Sequence, residues 1–147
     1  MSGTVGWVTD TGLVHIKKLS QLRDLYLVGT KISDVGLENL RGLSQLESLS
    51  LTNTPITDAG LERLRGLTQL RWLDLGNTQV TNAGLEHLRA SPQLHFLWLH
   101  GTQVKDAGLE RLSGLTQLQF LWLEDTRVTD AGVKKLQQVL PKCKIQR

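Results

Sequence analysis

The sequence predicts an α/β solenoid: a right-handed coil of strand–helix repeats curved like a horseshoe, with a parallel sheet on the concave face and helices on the convex face. Three observations predict it. A 24-residue period runs through the chain, its lines opening at Gln21, Gln45, Gln69, Gln93 and Gln117 with no insertion between them. Within each line, leucines recur first at alternate positions and then at every third position, so a strand is followed by a helix. Between the two stands Ser or Thr before Asp or Asn, the chemistry of a helix start. Strand then helix, repeated in register, requires parallel strands joined by right-handed crossovers.

The elements follow in order. Counting back 24 residues sets Val8 on Ile32 and reads TDTGLVHIKKLS as a helical half-repeat, but puts Met1 and Gly3 where strand leucines belong. Residues 1–20 are therefore expected to be a partial repeat, a minimal cap or the cut edge of a longer array, with Trp7 covering the end of the core. Residues 21–140 hold five full repeats. Pairs such as Leu49 and Leu51, or Leu73 and Leu75, mark the strands, and Leu61, Leu64 and Leu67 mark a helix stripe. Thr57-Asp58 is expected to cap the first helical turn, as are Ser33-Asp34, Thr81-Asn82 and Thr129-Asp130; Lys105-Asp106 keeps only the carboxylate. Thr30, Thr54, Thr78, Thr102 and Thr126 stand at one level, where their hydroxyls can bond the backbone that bends from strand to helix. The glycines of the repeated D-A-G-L segment are expected to allow tight helix–sheet packing. Ser91-Pro92 replaces Leu-Thr after the third helix, so one core leucine is missing and the solenoid is expected to soften or tilt there. In residues 141–147, Pro141 stops the last helix, Ile145 falls in phase with the strand leucines, and Lys142, Lys144 and Arg147 blunt a final edge strand with charge.

The recurring line L-x-x-L-x-L-x-x-T-x-(I/V)-(T/S)-D-A-G-L-x-x-L-x-x-L resembles the leucine-rich repeats. Its T-D-A-G-L segment is most similar to the cysteine-containing-like subclass shared by many bacterial repeat proteins and by the substrate-recognition arms of F-box proteins. Thr stands where that family usually carries Asn or Cys. The resemblance covers nearly the whole chain and implies the horseshoe; the ending LPKCKI resembles natural termini of the bacterial members and implies a C-terminal cap.

Composition narrows the function. The apolar runs are too short to span a bilayer, and MSGTVGWVTD lacks the basic start and apolar stretch of a secretory signal, so the chain as written is expected to stay in the cytoplasm. The single cysteine, Cys143, excludes an internal disulfide framework and a multi-cysteine zinc site. Seventeen Lys and Arg against 14 Asp and Glu give a weak basic excess, part of it gathered in the last helix and tail.

The residues between the strand leucines point outward. One outward column reads Asp24, Ser48, Trp72, Phe96, Phe120; the next reads Tyr26, Ser50, Asp74, Trp98, Trp122; a third reads Val28, Thr52, Gly76, His100, Glu124. Of seven Phe, Trp and Tyr residues, all but Trp7 fall in the first two columns. Strands lie about 4.8 Å apart, so Trp72, Phe96, Trp98, Phe120 and Trp122 are expected to touch as one patch of several hundred Å², more apolar surface than monomers usually leave without a use. The helix text is nearly constant, GLENL, GLERL, GLEHL, GLERL, whereas the outward strand residues differ in every line. The constant part reads as scaffold and the variable part as a reader.

A protein- or peptide-binding module is thus expected, with those five rings and Tyr26 as contacts and Asp74, His100, Glu124 and Arg71 as polar surround. The competing reading is that the rings are cross-strand ladders that only stabilise the sheet. Self-association and carbohydrate binding are further alternatives, and the chain is expected to be a monomer or weak homo-oligomer. No cofactor is expected. His100 and Glu124, with Asp74 and His95 near, raise a His–carboxylate pair or metal site, but no third fixed ligand and no adjacent nucleophile complete one. His15 and His87 read as solvent-facing. Glu38, Glu62 and Glu86 precede Arg41, Arg65 and Arg89 by three, the spacing of weak helix ion pairs and not of a nucleic-acid track. No phosphate-binding glycine loop is present, and catalysis is not expected.

Overall fold

A computed structural model of the chain describes residues 8–147. The role expected for Trp7 lies outside them. Six three-residue strands, β1 (Asp24–Tyr26), β2 (Ser48–Ser50), β3 (Trp72–Asp74), β4 (Phe96–Trp98), β5 (Phe120–Trp122) and β6 (Lys144–Gln146), form one sheet in chain order. Every neighbouring pair is parallel, and every register step is one repeat, Leu25 beside Leu49, Leu73, Leu97, Leu121 and Ile145 in turn. Ile145 therefore does extend the sheet, and the register passes Ser91-Pro92 unbroken, with Ser91 itself buried in the missing leucine's place.

The helical side is more tightly wound than the sequence suggests. Only α4 (Asp130–Val139) is a regular helix of ten residues. The others, α1 (Asp10–Leu13), α2 (Asp58–Arg63) and α3 (Asp106–Leu109), run on into 3-10 turns, and the repeats beginning at Gly36 and Gly84 are 3-10 throughout. The spacing of Leu61, Leu64 and Leu67 explains this: three residues per turn is the 3-10 period, so leucines at every third position all face the sheet only if the turn tightens.

The two layers close on a leucine core in which Leu49, Leu51, Leu73, Leu75, Leu97 and Leu99 from the strands and Leu61, Leu85 and Leu109 from the helices are almost wholly buried. The level threonines act as expected, each hydroxyl donating to the carbonyl three residues back: Thr54 to Leu51 at 2.5 Å, Thr78 to Leu75 at 2.7 Å, Thr102 to Leu99 at 2.6 Å. Beside them the chain turns with a left-handed residue in each repeat, Gly29, Asn53, Asn77, Gly101 and Asp125, the residue types that tolerate positive φ.

The capping pairs do two jobs. The hydroxyls of Ser33, Thr57 and Thr81 accept from the amide two residues on at 3.3 Å, and that of Thr129 from Gly132 at 3.2 Å. The carboxylates, however, do not cap their own helices. Asp10, Asp34, Asp58 and Asp106 each reach to the next repeat and take both the amide and the hydroxyl of its Ser or Thr, at 2.5–2.9 Å. The repeated glycines serve this ladder and not helix–sheet contact alone. A methyl on Gly36, Gly60, Gly84 or Gly132 would overlap the Asp carboxylate of the preceding repeat.

Ion pairs reinforce the same direction. Glu38 pairs with Arg41 on its own helix at 2.7 Å, as spaced, but Glu38 also pairs with Arg63, Glu86 with Arg111 and Glu110 with Lys135, all between repeats. At the carboxyl end, Arg147 folds back onto Asp130 and the Val128 carbonyl instead of standing off as free edge charge. Gln137 donates to the carbonyls of Leu140 and Cys143 and ties the tail to α4. Burial pushes the Cys143 thiol up to about 11, so it stays protonated at neutral pH.

Candidate functional site

The outward face of the sheet carries the rings where the column reading put them. None of Tyr26, Trp72, Phe96, Trp98, Phe120 and Trp122 belongs to the buried core, while Leu73, Leu97 and Leu121 between them do. Tyr26 and Phe96 are 58% and 38% exposed, and the other four are half-buried.

The rings form a ribbon that crosses the strands. Tyr26 meets Trp72 edge-on at 5.9 Å, Trp72 meets Trp98 at 4.9 Å, and Trp98 meets Phe120 at 5.8 Å and Phe96 at 6.1 Å. Two details differ from the sequence reading. Tyr26 joins the ribbon although β2 separates it from β3, because β2 offers only Ser48 and Ser50 and the flanking rings close over the gap. Ser50, nominally outward, is 2% exposed as a result. Trp122 stands aside: its ring packs on His100 at 4.9 Å, and its indole N–H donates to Glu124 at 3.0 Å. The expected five-ring patch is thus a ribbon of Tyr26, Trp72, Trp98, Phe96 and Phe120 with a separate His100–Trp122 pair at its side.

The polar surround is mixed in sign at the amino ends of the strands, where Asp24 stands on β1 and Glu47 pairs with both Arg23 and Arg71, and acidic at the carboxyl ends. At the amino ends of the strands stand Arg71, which is exposed and 3.7 Å from Glu47, and His95, whose ring lies against Phe96 at 6.4 Å. Lys144 follows on β6, beside Phe120 in register. At the carboxyl ends stand Asp74, Glu124 and Asp125; Asp74 accepts the Gly76 amide at 2.9 Å.

The suspected His100–Glu124 pair is not formed. His100 leans the other way, over Gly76, where a methyl would occupy its ring, and its Nδ1 is buried without a hydrogen-bond partner among the described residues. Glycine at 76 was legible in the sequence, but only the next strand shows that its missing side chain is the berth of His100. Among the described residues no group of three or more His, Cys, Asp or Glu is placed to hold a metal ion. His87, expected to face solvent, is half-buried with its Nδ1 unpartnered. Sequence reasoning also missed a groove of about 510 Å³ between α3 and α4, lined by Leu109, Leu136 and Val139 and bridged by the Glu110–Lys135 pair. Among the described residues no helix is long and apolar enough to cross a membrane.

A parallel sheet built one strand per repeat, backed by short helices and presenting variable side chains outward, defines a repeat-solenoid scaffold. A family model described as leucine rich repeat matches residues 20–80, and the fold is that of a leucine-rich-repeat solenoid. No curated protein sequence matches it. Among solved structures it is similar to a leucine-rich-repeat protein of Leptospira interrogans, with TM-score 0.75 and 22% identity over 91% of this chain and 33% of that one. It is also similar to internalin C2 of Listeria monocytogenes, with TM-score 0.71 and 27% identity over 95% of this chain and 66% of that one. Internalin F of the same species gives TM-score 0.54 and 25% identity over 90% and 49%. The chain spans a third of the first of these proteins and just under two thirds of the second.

Proposed function

We propose that this chain is a protein- or peptide-binding module whose contact surface is the aromatic ribbon on the outward sheet face. The observation that carries the reading is the contact chain Tyr26–Trp72–Trp98–Phe120, partly open to water on a face that no other element of the described chain covers. A sheet needing only stability is served by leucine or threonine at these positions. Trp and Tyr there cost exposed apolar area, and they are the residues that most often anchor interfaces. Arg71, Asp74, His100 and Glu124 form the polar surround, and Trp122 is held in place by its bonds to its neighbours.

The test separates binding from stability. Trp98→Ala is expected to weaken capture of a selected peptide or protein ligand by about 2 kcal/mol or more, while the thermal midpoint moves little. A fall in stability with binding unchanged would assign the rings to the ladder role. Sedimentation of the wild-type chain across concentrations reads the self-association alternative, in which the ribbon's partner is a second copy.

A further inference from the structure

Junctions inside the solenoid use the same acceptors again and again. One is the carbonyl before each strand: Glu47 takes the Arg71 amide and His95 the Gln119 amide, both at 2.8 Å. A second is the carbonyl before each capping pair: Val80 takes the Gln103 amide at 3.1 Å and Val104 the Arg127 amide at 3.0 Å. The third is the ladder side chain, by which Asp58 holds Thr81 and Asp106 holds Thr129. One 24-residue step further on, these three acceptors are the Cys143 carbonyl, the Val128 carbonyl and Asp130. All three are filled by side chains. Gln137 donates to the Cys143 carbonyl at 2.9 Å, Arg147 Nε donates to the Val128 carbonyl at 2.7 Å, and the Arg147 guanidinium pairs with Asp130. Two side chains thus imitate the backbone of a following repeat, over Leu136, Leu140 and Cys143, which are buried. An arginine serving only as edge charge has no need of the Val128 carbonyl.

The amino end is the counterpart. Thr9 stands where Ser33, Thr57 and Thr129 receive their carboxylates, and among the described residues its hydroxyl bonds only to that of Thr11, at 2.9 Å. Gly12 stands where Gly36, Gly60, Gly84 and Gly132 leave room for an Asp carboxylate, but a methyl on Gly12 would meet nothing described nearer than Val8 at 3.8 Å. The Arg23 amide, in register with those of Glu47 and Arg71, finds no acceptor among the described residues. Leu19, in register with the wholly buried Leu43 and Leu67, is 50% exposed, and Ile16 and Leu22 are only half-buried. The outer edge of β1 has no described strand beside it.

The two ends are therefore the two sides of one internal junction. Surfaces that match in this way join head to tail, and such contacts do not close on themselves. We infer that the amino-terminal end of this chain is a docking face for the carboxyl-terminal end of a second copy, and that Gln137 and Arg147 form a stop that holds copies apart. Exposed leucines alone choose no partner. A second copy is the occupant because Asp130 and the Cys143 carbonyl repeat, position for position, the acceptors that Thr9 and the Arg23 amide lack. The inference is independent of the aromatic ribbon.

The test is sedimentation of the whole chain across concentrations, with circular dichroism to confirm the fold of each variant. Wild type is expected to stay monomeric. Gln137→Ala/Arg147→Ala frees the three acceptors and should associate at least about tenfold more tightly, as expected when bonds to a charged acceptor become available between copies. Should the double variant lose its fold, Arg147→Ala alone, which removes a half-exposed side chain, gives the same reading more weakly. Adding Leu19→Glu or Asp130→Ala should return the released variant to monomer, whereas adding Trp98→Ala should leave its association unchanged. Polarity is the sharpest check. The released variant carrying Leu19→Glu keeps only a docking carboxyl end and wild type only a docking amino end, so each alone is a monomer and their mixture forms a one-to-one pair. A folded released variant that remains monomeric overturns the inference, and so does a mixture that forms no pair. Wild type associating as strongly as the released variant overturns it too. Association that survives Leu19→Glu but is abolished by Trp98→Ala moves the self-contact to the ribbon and ends the proposal for the chain ends.

Discussion

The carboxylate of Asp34 holds Thr57 of the following repeat by two bonds at once, from the amide at 2.9 Å and from the hydroxyl at 2.6 Å. The same pair of bonds joins Asp58 to Thr81 and Asp106 to Thr129. A solenoid has no long-range contacts to define its shape, since each repeat touches only its neighbours. The ladder gives every junction a directional polar lock beside the non-directional leucine core.

Asp58→Ala is expected to cost about 1.5–3 kcal/mol in urea unfolding, the range for bonds to a charged acceptor whose donors are left behind. One natural rung is already weakened: Asn82 accepts only the Lys105 amide, at 2.8 Å, because lysine has no hydroxyl to offer. The double variant Asn82→Asp/Lys105→Thr should gain about 1 kcal/mol, more than the two single changes together. Strict additivity would mean that the second bond contributes nothing.

Gly84→Ala tests the space beneath the ladder. On an isolated helix the change is favourable by about 1 kcal/mol, but here the new methyl overlaps the Asp58 carboxylate. A net loss of about 1–3 kcal/mol is expected. The loss should shrink when Asp58 is itself alanine, since the obstructing oxygen is gone; an unchanged loss would place the clash elsewhere.

Gly76→Ala addresses the site. A methyl at 76 fills the place of the His100 ring, so His100 must swing away from its contact with Trp122. The indole resonance of Trp122 and the His100 ring resonances should shift in nuclear magnetic resonance spectra while those of Trp72 stay in place. Movement of all the rings together would show that the ribbon and the His100–Trp122 pair are one unit.

Acid should loosen the last full junction. The hydroxyl of Thr129, then its amide, hold the Asp106 carboxyl below the usual carboxylate range, and Arg147 adds to the effect. A carboxylate whose pKa is lower folded than unfolded contributes stability that is fully present above the unfolded value of about 3.9 and is lost as pH falls through the folded one. The stability difference between wild type and Asp106→Asn should therefore be constant above about pH 5 and narrow below pH 4. A difference that widens on acidification would reverse the sign of this coupling.

Much of the architecture was legible in the amino-acid sequence, and for a definite reason. Repetition makes local patterns count several times over. Leucines at alternate positions set each strand's inward face, Thr54 and its counterparts set the bend, and the 24-residue step set the register that the sheet adopts from β1 to β6. The outward columns follow from alternation alone, so all six strand aromatics could be placed on one face before any coordinate was known. The 3-10 winding was not read there: leucines three apart mark a helix stripe, and the packed repeats show that its turns tighten.

What the tertiary structure alone decided are relations between repeats at the level of single atoms. Asp34 and Thr57 each look like cap residues of their own helix; that the carboxylate turns to the next repeat depends on how closely the helices approach, which glycine permits but spacing in the chain does not state. Tyr26 reaches Trp72 over Ser50, and His100 turns from Glu124 to lie on Gly76, because side chains settle into whatever space their cross-strand neighbours leave. Alternation tells which way a residue points, and that is a property of one strand. Which ring it finally touches is a packing problem solved by two or three strands together, and only their assembly supplies the answer.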